Sequence, residues 1–322
     1  MAGWNPDQYL KFSDERTQPC RDLVARIALP QVRTVIDLGC GPGNSTQVLA
    51  ERWPDAQITA LDSDTAMINA AIESHGRGRW ITGDIAKWAA GQPPNAAAEK
   101  SAEAAAQKPS EASSQASTEA SAESVSRAAS ENVPAASSEM TPAGTTEPAP
   151  SEAPENEQYD VVFSNAALQW LPDHATLYPQ LFSHVAPGGA FAIQIPSSLD
   201  RPAYRLLREM AASIGWRKWF PTGRVRTWHA QDWEFYYDLL APLATRVDVW
   251  QTEYFHVMPN AGTVVEWYRA TGMRPYLNAI GEDADRDKFL AEYTEKIRAA
   301  YRPRPDGRIL FPFLRIFLIA YR

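Results

Sequence analysis

Three aspartates stand at the ends of three successive apolar runs, and a glycine loop follows the first. Asp37 lies within Val35-Ile36-Asp37-Leu38, directly ahead of Gly39-Cys40-Gly41-Pro42-Gly43. Asp62 follows the run 57–61, and Asp84 follows Trp80-Ile81-Thr82-Gly83. Glycine lets a backbone approach a ligand where a Cβ would collide. A carboxylate ahead of such a loop is badly placed for a pyrophosphate and suits a cationic ligand end, such as an amino group. An acid at the tip of a second strand can accept both hydroxyls of a ribose. One at the tip of a third can take the amino group of an adenine, with Ile85 offering backbone and apolar contact to the ring. Each acid taken alone also fits a loop-solvating residue; three at three consecutive strand ends form a pattern.

The elements that must hold these acids follow from the apolar spacing. The run entering from Thr34 reads as a short buried strand. A helix is expected to begin at Asn44, Ser45 and Thr46, all favourable N-cap types. Strand, glycine loop and helix N-terminus make the nucleotide-binding turn of a doubly wound α/β sheet. Dinucleotide sites use G-x-G-x-x-G; here the third glycine comes one residue sooner. A nicotinamide or flavin site and a bare tight turn remain the alternatives. Further strands are expected over 57–61, 80–82, 159–164 and 190–195. Helices are expected over 65–73, where Asp64 is the cap, and over 175–185, stopped by Pro187-Gly188-Gly189. Alternating strands and helices predict a parallel sheet covered on both faces. Beyond Pro196 the pattern changes. Helices are expected over 203–214, 231–240, 261–271, 274–280 and 283–301, with an irregular stretch at 216–229 and long strands over 246–257 and 308–321.

Composition breaks at Gln92. From 92 to 158 the chain is almost wholly Ala, Ser, Glu, Pro, Thr and Gln, and Val125, Val133 and Met140 are its only larger aliphatic residues. Such a stretch buries too little apolar surface to offset chain entropy and is expected to be a disordered surface insert. Its 11 glutamates face only Lys100, Lys108 and Arg127, so it carries the whole net charge of −8. The rest is charge-balanced and shows no basic stripe, which argues against a nucleic-acid partner. No apolar run approaches a membrane span, and the N-terminus lacks signal-peptide character, so a cytoplasmic location is the expectation. Cys20 and Cys40 make no disulfide framework. His75, His174, His184, His229 and His256 show no metal spacing, so no metal is expected. His174 is expected at the surface or as a helix cap.

The run D-L-G-C-G-P-G resembles the first motif of class I S-adenosylmethionine-dependent methyltransferases. The resemblance narrows further along the chain. Trp4-Asn5-Pro6-Asp7-Gln8-Tyr9-Leu10-Lys11-Phe12-Ser13 and Asn165-Ala166-Ala167-Leu168-Gln169-Trp170-Leu171-Pro172-Asp173-His174 are similar to the trans-aconitate 2-methyltransferase family. So are Tyr236-Tyr237-Asp238-Leu239-Leu240, Val249-Trp250, Thr252, Tyr254 and Ala270-Thr271-Gly272-Met273-Arg274-Pro275-Tyr276-Leu277. Only the 92–158 insert lies outside it, and the chain departs most from the pattern at 216–228.

The resemblance implies a seven-stranded Rossmann-like sheet in a single domain of residues 1–91 and 159–322. Helical caps would lie within about 200–243 and 259–306. It implies S-adenosyl-L-methionine as cofactor and a small tricarboxylate, trans-aconitate, as substrate, esterified at one carboxylate by a protein expected to be a monomer. Another small organic acid is the alternative substrate. A carboxylate is already ionised at neutral pH, so no general base is needed; in-line placement and exclusion of water suffice. Asp37, Gly39, Gly41, Gly43, Asp62, Asp84, Ile85, Asn165 and Ala166 would hold the cofactor. Gln169 and Trp170 would position the reacting groups, with Trp170 either walling the sulfonium or anchoring the core. A tricarboxylate calls for arginine forks. Arg274 and Arg315 are the favoured ones, with Arg224, Arg226 and Arg269 as further candidates, each also readable as a surface charge. Tyr9 and Phe12 would either fold over the cofactor or simply pack. Arg16 would reach the cofactor's carboxylate.

Overall fold

The computed structural model describes residues 12–75, 78–92, 99–101, 157–225, 227–269 and 271–322. All of them belong to one unit, Met1–Ala106 with Asn156–Arg322. The elements are α1 (Ser13–Arg26), β1 (Thr34–Leu38), α2 (Asn44–Arg52), β2 (Gln57–Asp62), α3 (Thr65–His75), β3 (Arg79–Thr82) and α4 (Ile85–Ala89). After them come β4 (Glu99–Ser101), β5 (Tyr159–Asn165), α5 (His174–Ser183), β6 (Val185–Pro196), α6 (Pro202–Ala212) and α7 (Trp233–Leu240). The last are β7 (Arg246–Met258), α8 (Ala261–Arg269), α9 (Arg274–Ala279), α10 (Asp283–Ala300) and β8 (Ile309–Tyr321).

The strands form one sheet in the order β4-β3-β2-β1-β5-β6-β8-β7. β3 to β6 run parallel through β2, β1 and β5, and β8 and β7 close the sheet antiparallel. The seven expected strands are all present. β4 is an eighth, pairing antiparallel with β3, and it falls within the 92–158 stretch read from composition as unstructured. A three-residue edge strand needs backbone pairing and no apolar side chain, so composition gave no sign of it. The remainder of that insert lies outside the described residues, apart from Gln92, Glu157 and Gln158.

Consecutive residues of a strand point to opposite faces, and both faces of this sheet are covered. Val35, Val161, Phe163, Phe317 and Ile319 pack beneath α1 and α2. Ile36, Leu38, Val162, Ile316 and Leu318 pack beneath α4, α5 and α7. α7 therefore belongs to the sheet's own layer, with Tyr236 and Leu240 fully buried there, and the part of the expected cap at 233–240 is not cap. Pro187-Gly188-Gly189, read as a helix stop, sits inside β6, where the register with β5 shifts between Tyr159 and Val161. A Cβ on Gly189 would lie 2.6 Å from the Asp160 carbonyl oxygen, so only glycine fits there.

β8 pairs with β6 only from Arg315 to Tyr321, but with β7 along its whole length. The β7–β8 hairpin thus runs on past the sheet. Its outer part brings Met258, Ile309, Phe311 and Phe313 into a second core with α6, α8, α9 and α10. That core is the cap, and Arg315 stands where the hairpin leaves the sheet.

Candidate active site

The chain builds β1, β2 and β3 to one side and then crosses to β5 on the other. The C-terminal ends of β1 and β5 consequently mark the point where the strand order reverses, the usual ligand position in such sheets. Ser164 Oγ donates to the Leu38 carbonyl at 2.8 Å and ties the two ends together.

The three loop glycines have different tasks. All adopt left-handed φ, at 76°, 55° and 94° for Gly39, Gly41 and Gly43. A Cβ on Gly39 would lie 2.2 Å from Ala167 Cβ, and one on Gly43 2.3 Å from the His75 ring. Among the described residues, a Cβ on Gly41 would meet no atom within 4 Å. Gly39 and Gly43 are close-packing glycines, and Gly41 is the one whose missing side chain opens onto space.

The acids are placed as follows. Asp62 Oδ2 accepts the Gly41 N–H and Oδ1 the Asp64 N–H, both at 2.9 Å. Burial raises its carboxyl above the ordinary range, with those N–H groups pulling it back. Asp37 is wholly buried. Its Oδ2 accepts from Ser45 Oγ and Thr46 Oγ1, each at 2.7 Å, and its Oδ1 has no hydrogen-bond partner. Burial pushes its carboxyl up to about 6, against the two hydroxyls and with help from the Asp62 charge. Ser45 and Thr46 were expected as N-caps. Gly43 holds that position with no side-chain cap, because the two hydroxyls turn inward to a buried charge that costs more to leave unbonded than a helix N–H. Asp84 is exposed and caps α4 through the Lys87 N–H at 3.0 Å. Ile85 is buried beside the loop, its Cδ1 within 3.7 Å of a Gly39 Cβ.

At the end of β5, Ala166 has φ 56°, a conformation that costs a non-glycine residue about 1–2 kcal/mol. Two glutamines hold it. Gln169 Nε2 donates to the Ala166 carbonyl at 2.7 Å, and the Gln194 carbonyl accepts the Ala166 N–H at 2.8 Å. Asn165 Oδ1 and Gln169 Oε1 are buried without a hydrogen-bond partner. His174, expected at the surface or as a cap, is buried. Its ring bonds Tyr236 Oη at 2.8 Å and the Leu168 carbonyl at 3.0 Å, so it fixes the Leu168–Trp170 turn that carries Gln169 and Trp170. Asp173 is the cap of α5. Trp170 meets Trp228 edge-on at 6.0 Å, and Trp228 stacks on Tyr204 at 4.6 Å; Trp170 thus joins strand end to cap.

Among the arginines, Arg315 is buried at 4% exposure. Its Nη1 donates to Gln194 Oε1 at 3.0 Å and its guanidinium lies over Phe313 at 4.8 Å. Burial, with the Arg315 charge adding to it, pulls His256 down to about 4. Arg274 opens α9 and is half-buried; burial lowers its pKa while the charge of Asp64 opposes the shift. Arg16 is buried against Phe12 and Trp267, and donates to the Trp267 carbonyl at 3.3 Å. Phe12 packs on Trp267 at 5.2 Å. Arg224 lies on an exposed turn and Arg269 pairs with Glu266 on the surface, so neither joins Arg315. Tyr9 and Arg226 lie outside the described residues.

A family model described as a methyltransferase domain matches residues 12–236. A trans-aconitate 2-methyltransferase of Azoarcus sp. (strain BH72) is 39% identical, with all of both chains aligned. One of Variovorax paradoxus (strain S110) is 36% identical over all of this chain and 99% of its own. One of Methylobacterium radiotolerans is 38% identical over 99% and 98%. The chain belongs to the trans-aconitate 2-methyltransferase family. Sequence reading did not single out Gln194, the residue to which Arg315 donates. Gln194 had a visible signal, being the one polar residue in the run Ala190-Phe191-Ala192-Ile193-Gln194-Ile195. Among the described residues, no helix is long and apolar enough to cross a membrane, and no group of three His, Cys, Asp or Glu could hold a metal.

Proposed function

We propose that this protein transfers the methyl group of S-adenosyl-L-methionine to one carboxylate of trans-aconitate. The observation that carries this reading is a continuous connection from the glycine loop to a buried arginine. Gly39 packs on Ala167, Ala166 bonds the Gln194 backbone, and the Gln194 side chain holds Arg315. A cofactor seated over Gly41 and an acid seated at Arg315 would share one set of strand ends.

In this reading the open face of Gly41 admits the backbone-hugging part of the cofactor. Asp62, braced on the loop, has lone pairs left for the ribose hydroxyls. Asp84 and Ile85 flank the adenine. The buried charge of Asp37 and the unpartnered oxygens of Asn165 and Gln169 favour the cationic methionine end and its sulfonium. Trp170 covers that charge with an aromatic face. Arg315 and Arg274 hold the substrate's carboxylates, leaving one free to attack the methyl carbon. That carboxylate is ionised without help, so the residues act by orientation and exclusion of water. Incubation with S-adenosyl-L-methionine and trans-aconitate should give a product heavier by one methyl, stable to acid and cleaved by base. An unchanged acid would overturn the assignment of substrate.

A further inference from the structure

Gln194 is fully buried in β6. Its amide cannot be turned over, because Arg315 has only donors and must meet an oxygen. Oε1 therefore faces Arg315 Nη1 at 3.0 Å, and Nε2 is left buried with no hydrogen-bond partner among the described residues. Leaving a buried donor unpartnered is costly, so such groups mark places where a ligand or water completes the bonding. A neutral amide has a second consequence: it orients the arginine without cancelling its charge. A glutamate at the same place would accept the same hydrogen bond and neutralise the cation. The backbone of the same residue holds Ala166 at the methyl-transfer side.

We propose that Gln194 and Arg315 together form the receptor for one carboxylate of the substrate, and that Gln194 sets acid specificity there. The guanidinium supplies positive charge; the Gln194 Nε2–H supplies a neutral donor beside it. This inference rests on the methyl-transfer reading above and assigns the residue that recognises the anion.

The test compares wild type with Gln194→Glu and Gln194→Met in methyl transfer to trans-aconitate, with S-adenosylhomocysteine affinity and melting temperature measured on each. Gln194→Glu keeps shape and the bond to Arg315, so fold and cofactor affinity should hold while KM rises about a hundredfold or more. Gln194→Met, which keeps volume and removes both polar atoms, should raise KM about tenfold to a hundredfold. Glutaconate, itaconate and mesaconate each lack a different one of the three carboxylates, and serve as competitive inhibitors. The Gln194→Glu effect on Ki should vanish for one of them and persist for the other two. Equal KM in wild type and both variants overturns the proposal, as does an equal effect on all three diacids. Failure of wild type itself to methylate trans-aconitate defeats the underlying reading instead, and that arm is read first.

Discussion

Asp62 Oδ2 accepts the Gly41 N–H at 2.9 Å, so the carboxylate ending β2 fixes the glycine loop ending β1. The residue proposed for the ribose is also the brace of the loop that the cofactor must approach. Replacing Asp62 with Ala should therefore cost twice, in lost contact and in a loosened loop, for about 1–3 kcal/mol of S-adenosylhomocysteine affinity. Calorimetric titration measures it, and an undiminished affinity would place the ribose elsewhere.

The glycines separate stability from binding. Gly39→Ala drives a Cβ into Ala167 and should lower the melting temperature by several degrees, as a core clash of a few kcal/mol does. Gly41→Ala meets only open space and carries the modest left-handed penalty of about 1–2 kcal/mol. It should keep its fold and lose cofactor affinity at least tenfold. Matched loss of stability in both variants would show that Gly41 packs like its neighbour.

Asp37 predicts a pH dependence. Its folded value is raised from the ordinary 3.8 to about 6, so the native state binds the proton more tightly than the unfolded chain. The stability penalty is absent below 3.8, grows as pH rises, and is complete above 6, at about 3 kcal/mol. Asp37→Asn should gain apo stability over wild type at pH 8, less the cost of its own unpaired amide N–H, and lose that gain by pH 4. Wild-type affinity for S-adenosylhomocysteine should fall as pH drops through 6, where the buried charge is lost, and Asp37→Asn should not show this fall. A melting difference that is the same at pH 8 and pH 4 would contradict the assigned shift.

Much of this was legible in the residues. The alternation of apolar runs and helical spacing located the parallel strands, because strands buried on both faces leave an unbroken apolar signature. Asp37, Asp62 and Asp84 were visible as acids at strand ends. What they bond to was not, since Asp62 reaches Gly41 and Asp37 reaches Ser45 and Thr46 only once the loop has folded. Ser45 and Thr46 carry the same letters whether they cap a helix or bond a buried carboxylate. Tyr236 in α7 could not be assigned to the sheet rather than the cap, because an amphipathic helix does not name the surface it covers. Arg224 and Arg315 look alike as letters; β8 pairing with β6 buries one and a surface turn exposes the other.

His174 should prove a positioning residue. It is held neutral by burial and bonded to both Tyr236 and the Leu168 carbonyl. His174→Phe removes one hydrogen bond from the Tyr236 hydroxyl, which keeps the Gln231 N–H, and one from the Leu168 carbonyl, which keeps the Leu171 N–H, for about 1–3 kcal/mol of stability. It should lower kcat by loosening the turn of Gln169 and Trp170, with little change in cofactor affinity. Unchanged kcat in a folded variant would detach that turn from the chemistry.

Arg315→Met tests the proposed anion site itself. It should raise the substrate KM by at least tenfold, with S-adenosylhomocysteine affinity within about twofold of wild type. Equal losses of both would make Arg315 a structural cation.

The most direct measurement is transfer of a labelled methyl group from S-adenosyl-L-methionine to trans-aconitate, cis-aconitate, isocitrate and isopropylmalate in parallel. The proposed site predicts acid-stable, base-labile label on trans-aconitate in preference to the other three. Label on none of them, with S-adenosylhomocysteine still bound, would contradict the substrate assignment and leave only the cofactor half standing.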